Sequence, residues 1–151
     1  MAGFTDLAET DFLDLFFTNV AFPNVGDAAG LPPSVGEGVF TSALHILDAI
    51  TDASTLLSDN EVAYTGYARQ THARNVSDWT VSGTAPTQVT NDLLIQYGEM
   101  SAGGPDTITD VSLGFATGSI MQIAGQVTID LVVNNGVNPQ FAIGALDITI
   151  D

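Results

Sequence analysis

The chain has 151 residues, 45% of them hydrophobic, and sets 18 Asp and Glu against 2 Lys and Arg for a formal charge of −16. That length predicts one domain over residues 1–151 with its own core, and a mean hydropathy of +0.27 is too apolar for a chain that stays unfolded. The charge argues against nucleic acid, whose phosphates need clustered Lys and Arg, and against an anionic membrane surface; with no cysteine, disulfides and thiolate chemistry fall away.

No apolar run reaches the ~18 residues that a bilayer span requires. The first nine residues carry two acids and no base, unlike a secretory signal. Helical periodicity is predicted over residues 5–20, within an N-terminal helical region 1–20. Phe4, Leu7, Phe12, Leu15 and Phe16 lie largely on one side there, and Asp6, Glu9, Asp11 and Asp14 are set off from it. Thr5 or Thr10 could cap the start, and acids in the first turns suit the helix dipole. Residues 21–38 hold Pro23, Pro32, Pro33 and four glycines, which reads as an arm or loop. A strand is expected at 39–47, and 48–60 reads as a loop or as a short helix carrying Leu56 and Leu57.

Downstream a two-residue period dominates, predicting strands at 62–72, 78–81, 89–97, 107–116, 119–133 and 140–150. Breakers separate them at 83–86, at Ala102-Gly103-Gly104-Pro105, at Thr117-Gly118 and at Asn134-Asn135-Gly136, whose Asn-Gly pair is a hairpin signal. Near the end Leu146, Ile148 and Ile150 face one way. The predicted class is mainly β: an antiparallel β-sandwich or jelly roll over 39–151 with one N-terminal helix.

Reactive constellations are scarce. His45 and His72 sit in predicted strands, where a lone histidine is usually a satisfied structural residue. There is no Gly-x-Ser-x-Gly elbow and no pair of histidines at metal-ligand spacing. Asp106 and Asp110 could place two carboxylates near one cation, or could simply line a solvated strand edge. Gly103-Gly104-Pro105 has no lysine and precedes a strand, so it makes no phosphate cradle. Nothing selects any two acids as a glycosidase pair. No catalytic, cofactor-binding or metal-binding residue is assigned, and no cofactor is expected. The two cations, Arg69 and Arg74, would point to opposite faces of a continuous strand. Each could pair with a carboxylate of its own chain or make a bidentate contact across a subunit interface. Trp79 reads as core or interface. Phe12, Phe16, Pro32, Pro33, Arg69, Arg74 and Trp79 together form the candidate interface set.

Glu61-Val-Ala-Tyr-Thr-Gly-Tyr67-Ala-Arg69 resembles the E-x-x-x-x-G-Y-x-R segment of a family of small tailed-bacteriophage virion proteins, labelled tail-fibre-like or capsid decoration proteins. Phe40-Thr-Ser-Ala-Leu44-His45 is similar to that family's V-x-V-A-L-H strand. Thr90-Asn91-Asp-Leu-Leu-Ile95 is similar to its x-N-x-x-x-I strand, and Phe141-Ala-Ile-Gly144-Ala-Leu146-Asp-Ile148 to its closing F-x-x-G-x-L-x-I strand. The resemblance implies a structural virion protein rather than an enzyme. The expected role is a capsid decoration (cement) protein on the outer capsid surface, with the major capsid protein and further copies of itself, as homo-dimer or homo-trimer, for partners. The alternative it implies is a tail-fibre or tail-tip component; a glycan-acting enzyme is the more distant one.

Overall fold

Thr5 starts the N-terminal helix: extended at φ −85° and ψ 154°, it accepts from the Ala8 amide through its side-chain oxygen at 3.4 Å. In the computed structural model, which describes residues 4–27, 29–51, 53–83, 87–115 and 119–150, helix α1 spans Asp6–Leu13 with Asp6 and Glu9 in its first turn. It is shorter than the periodicity predicts, because the next five residues, Asp14–Thr18, widen into a π turn. Asn19 then ends the helix in the left-handed region at φ 58°. The buried stripe also differs from the expected one. Glu9, Leu13 and Phe17 face inward at four-residue spacing, while Phe4, Leu7 and Phe12 are exposed and Leu15 and Phe16 are half-buried. Phe17 is fully enclosed against Trp79, with ring centroids 5.1 Å apart, and that aromatic anchor sets which face turns inward.

Two compact units emerge. One comprises Met1–Gly38, Ala73–Leu94 and Phe141–Asp151; the other comprises Val39–His72 and Ile95–Gln140. The chain crosses between them four times, so neither is a contiguous segment. Among the described residues no helix is long and apolar enough to cross a membrane.

The first unit holds α1 and a three-stranded antiparallel sheet of β3 (Trp79–Ser82), β4 (Thr87–Asn91) and β9 (Asp147–Ile150), in the order β3-β4-β9. Its core is Leu13, Phe17, Trp79, Val89 and Leu146. The second unit is built on a four-stranded sheet in the order β2-β1-β6-β7, formed by β1 (Val39–Ile46), β2 (Gln70–Ala73, whose last residue falls in the first unit), β6 (Asp106–Phe115) and β7 (Met121–Val133). β1 is hydrogen-bonded on both edges and buried on both faces, which explains its imperfect alternation in the sequence. Phe40, Leu44, Ile108, Leu113, Tyr64 and Tyr97 fill this core. β5 (Ile95–Gln96) and β8 (Gln140–Phe141) form a separate two-stranded ladder.

The mainly β, antiparallel class with one N-terminal helix agrees with the sequence reading, and several strand bounds do not. Residues 62–69 are irregular, so the predicted strand 62–72 is reduced to β2. Segment 48–60 contains no helix among its described residues, yet Leu57 in it is completely buried. The predicted strand 140–150 is broken by a turn around Gly144 at φ 72°. Asn134-Asn135-Gly136 does turn, with Gly136 at φ 85° and Val137 N–H donating to Asn134 O at 3.0 Å. It does not close a hairpin, because the following strand β8 pairs with β5 rather than with β7. The Thr117-Gly118 breaker and most of 83–86 lie outside the described residues.

Phe17→Ala is expected to lower the unfolding free energy by about 3–5 kcal/mol, the cost of emptying a buried aromatic site. Phe12→Ala, on the exposed face, should cost less than about 1 kcal/mol. Denaturant midpoints of the two variants check the inward stripe, and equal losses would contradict it.

Candidate functional site

The segment that carries the family resemblance folds into a knot around one carboxylate. Arg69 donates from Nε to Glu61 Oε1 at 2.7 Å and from Nη2 to Oε2 at 2.6 Å, the planar two-point fit of guanidinium to carboxylate. Tyr67 donates its hydroxyl to the same Oε1 at 2.9 Å and accepts from the Leu44 amide of β1 at 3.1 Å. Donating to the Glu61 carboxylate raises the Arg69 pKa. Burial, reinforced by the Glu61 charge, pushes the Tyr67 phenol far up, so it remains a donor. Gly66, between the partners, sits at φ 104°, and a Cβ there would stand 2.0 Å from the Glu99 carbonyl oxygen. Only glycine fits that turn. The knot replaces the continuous strand that would have put Arg69 and Arg74 on opposite faces.

Next to the knot runs a buried polar chain. Tyr97 donates to Ser42 Oγ at 2.8 Å, and Ser42 Oγ lies 3.0 Å from His72 Nε2. His45 is fully enclosed: its Nδ1 is 2.7 Å from the Asp59 carbonyl oxygen and its Nε2 is 2.6 Å from Ser112 Oγ. The carbonyl can only accept, so Nδ1 carries the proton and Nε2 receives the Ser112 hydroxyl. Both ring nitrogens are spent inside the protein. Two serine–histidine pairs therefore exist that spacing alone did not reveal, because 30 and 67 residues separate their members. Ser42 and Ser112 are themselves buried. Burial lowers the His45 pKa, against smaller opposing effects of the Asp59 carbonyl, Glu61 and Asp110.

Arg74 does different work in the first unit. Nη2 donates to Leu15 O at 2.8 Å and to Asn19 Oδ1 at 2.7 Å, at the end of the helical segment where carbonyls are free. Nη1 donates to Ser34 Oγ at 3.0 Å and Glu37 O at 3.3 Å. Asn19 also accepts from the Ser34 amide at 2.9 Å, and Phe22 pairs with Leu31. Segment 21–38 is thus fastened at both ends to its own chain, while Pro32 and Pro33 stay exposed between the fastenings. Trp79 is buried and donates its indole N–H to Ala73 O at 2.9 Å. Phe16 stacks on Phe12 at 5.9 Å and meets Phe17 at a tilt, 5.2 Å between ring centroids. Of the seven interface candidates, six fall in the first unit and Arg69 in the second: Phe12, Pro32 and Pro33 are exposed, Phe16 is half-buried, Arg69 and Arg74 bond within the chain, and Trp79 is buried.

Asp106 and Asp110 do not converge on a cation. Four residues apart on a strand they are separated by about 13 Å. Asp110 is also buried and accepts from Thr109 Oγ1 at 2.8 Å, rather than lining a solvated edge. Among the described residues no three His, Asp or Glu gather as a metal site.

The family Gp80, described as "Podophage GP4 fiber I protein gp80", matches residues 38–149. No curated protein matches the sequence significantly. The chain belongs to this podophage fibre-protein family, and with it to the structural proteins of tailed-phage virions, in agreement with the resemblance centred on Glu61–Arg69.

Two outcomes are expected from this geometry. Arg69→Lys keeps the charge but loses the fork, and should lower stability by about 1 kcal/mol in denaturant titration; no change would mean that the knot is solvated decoration. His45 should make stability depend on pH. Its folded pKa is depressed below the model-peptide 6.5, so its contribution is complete above that pH and is lost as pH falls through and below 6.5. Denaturant midpoints at pH 7.5 and 5.5 should therefore differ, and His45→Gln should flatten that slope.

Proposed function

We propose that this chain is a non-enzymatic structural subunit of a podophage fibre, assembled from several copies of itself on the virion. The observation that carries this reading is the family match over residues 38–149, whose description names a fibre protein. The buried state of both serine–histidine pairs supports a role without catalysis, since their hydrogen bonds hold strands and loops of the same chain. The Glu61 knot supports it too: a carboxylate spent on Arg69 and Tyr67 of its own chain serves the fold.

A second reading, capsid decoration on the major capsid protein, rests on the charge. A surface of −16 per copy stays soluble at high copy number and repels packaged DNA, which suits the outer face of a shell.

Cryo-microscopy of particles carrying a tagged copy separates the two. Density on fibres at a few copies per fibre is expected. Density repeated over the icosahedral lattice, at hundreds of copies per particle, would replace the fibre reading with the decoration reading. Tag density absent from the particle would refute both.

A further inference from the structure

Helix α1 has a second apolar side, turned away from the core. Its inward side carries Glu9 and Leu13 into the first unit, with Phe17 four residues on. Its outward side carries Leu7 and Phe12, 71% and 47% exposed, with Leu15 half-buried just beyond the helix and Phe4 exposed just before the Thr5 cap. Residues 7, 8, 11, 12 and 15 follow the three- and four-residue spacing with which a helix fills a groove. Four of these five are Leu, Ala or Phe. Single apolar residues are ordinary on a surface, whereas a contiguous stripe of them marks an interaction site. The family match begins at residue 38, so it does not account for this stripe.

The fifth residue, half-buried Asp11, decides what can lie there. Neither cation of the chain is bonded to it: Arg69 is held by Glu61, and Arg74 by Leu15 O, Asn19, Ser34 and Glu37 O. Asp14 stands nearby, where burial raises its pKa and the Asp11 charge adds to the rise. A wholly apolar partner would strip water from Asp11 and return nothing for it. A second copy laid face to face would set Asp11 and Asp14 against like charges, and it has no free guanidinium to offer. An anionic lipid surface repels the same carboxylates. A protein surface that is apolar and carries a cation opposite Asp11 meets both the stripe and the charge.

We propose that the outward side of α1, formed by Leu7, Asp11, Phe12 and Leu15, docks into an apolar groove of a different protein, whose rim sets a lysine or arginine against Asp11. Leu7 and Phe12 supply the buried area, and the ion pair at Asp11 fixes the register. The face is presented already ordered. Phe12 is stacked on Phe16, with ring centroids 5.9 Å apart, and Phe17 against Trp79 holds the end of the helical segment. Docking therefore orders few further groups, which favours affinity. Whichever part of the virion holds the chain, the stripe and its demand for a cation are the same.

The test uses the full chain and three synthetic helical peptides. A leucine–lysine peptide, its lysines flanking an apolar stripe, is the probe. A leucine–glutamine peptide removes its charge, and a lysine–glutamine peptide removes its stripe. Fluorescence anisotropy should show the probe binding at least tenfold more tightly than either control. Asp11→Lys should weaken the probe at least tenfold, and Leu7→Ser at least fivefold. Asp130→Lys, an equal change of net charge at an exposed position of β7, should leave it within threefold. Should Asp11→Lys fail to fold, Leu7→Ser, which alters an exposed side chain and no charge, carries the comparison. Equal weakening by Asp11→Lys and Asp130→Lys, or equal binding of the probe and the lysine–glutamine peptide, would mean that net charge alone attracts it and would overturn the proposal. On particles, a photo-crosslinking residue in place of Leu7 should join to a Lys- or Arg-bearing segment of another protein. An adduct to a second copy of this chain, or no adduct, would overturn it as well. None of these results depends on whether the density lies on fibres or on the capsid lattice, so the fibre reading stands or falls separately.

Discussion

The Glu61 carboxylate is the constraint on which the irregular half of the second unit depends. One side chain satisfies Arg69 at two points and Tyr67 at a third, and Tyr67 passes the connection on to the Leu44 amide of β1. The central strand is thereby bonded to a loop that has no ladder of its own. Removing Glu61 would leave a guanidinium and a phenol hydroxyl to find new acceptors together, which is how a single half-buried carboxylate comes to hold a whole segment. The glycine between them is part of the same device: with a Cβ, Gly66 would collide with Glu99 O, and the turn that brings Tyr67 and Arg69 back over Glu61 could not form.

How much of this the sequence discloses depends on the kind of signal. The strand segments 39–47, 107–116 and 119–133 are legible because their β-branched and aromatic content is sustained over many residues. The helix is legible as an element but not as a face. Phe12, Leu15 and Phe16 make a convincing apolar stripe, and the stripe that turns inward is offset by one residue, because Phe17 meets Trp79 from a strand about 60 positions away and a π turn reshapes the helix end. Alternation at 62–69 looks like a strand for the same reason: period two records side-chain type and cannot see that Glu61, Tyr67 and Arg69 prefer one another to a ladder. The family motif was visible as a string of residues, but its role in making a knot was not. The two serine–histidine pairs were invisible because sheet register, which brings 45 to 112 and 42 to 72, is a property of the assembled fold.

Both cations of this chain are consumed by its own architecture, in two different ways. Arg69 is neutralised by Glu61. Arg74 bonds to neutral oxygens, with two of its contacts at the end of the helical segment, where a positive charge meets the negative end of the helix dipole. Its surroundings are favourable without cancelling a surface carboxylate, and burial is what lowers its pKa. The exposed surface is therefore acidic with no guanidinium left over to bridge copies.

If copies of this chain assemble as proposed, they have few ways to touch one another. Salt bridges between copies would need cations that are already engaged, and carboxylate faces repel at distances up to the Debye length. What remains is backbone hydrogen bonding and apolar contact, which do not depend on the sign of the charge. The chain offers both on β7, whose outer edge is bonded among the described residues only near its start and whose side chains are uncharged except for Asp130. A chain with more lysine on that edge would be easier to keep monomeric and harder to assemble.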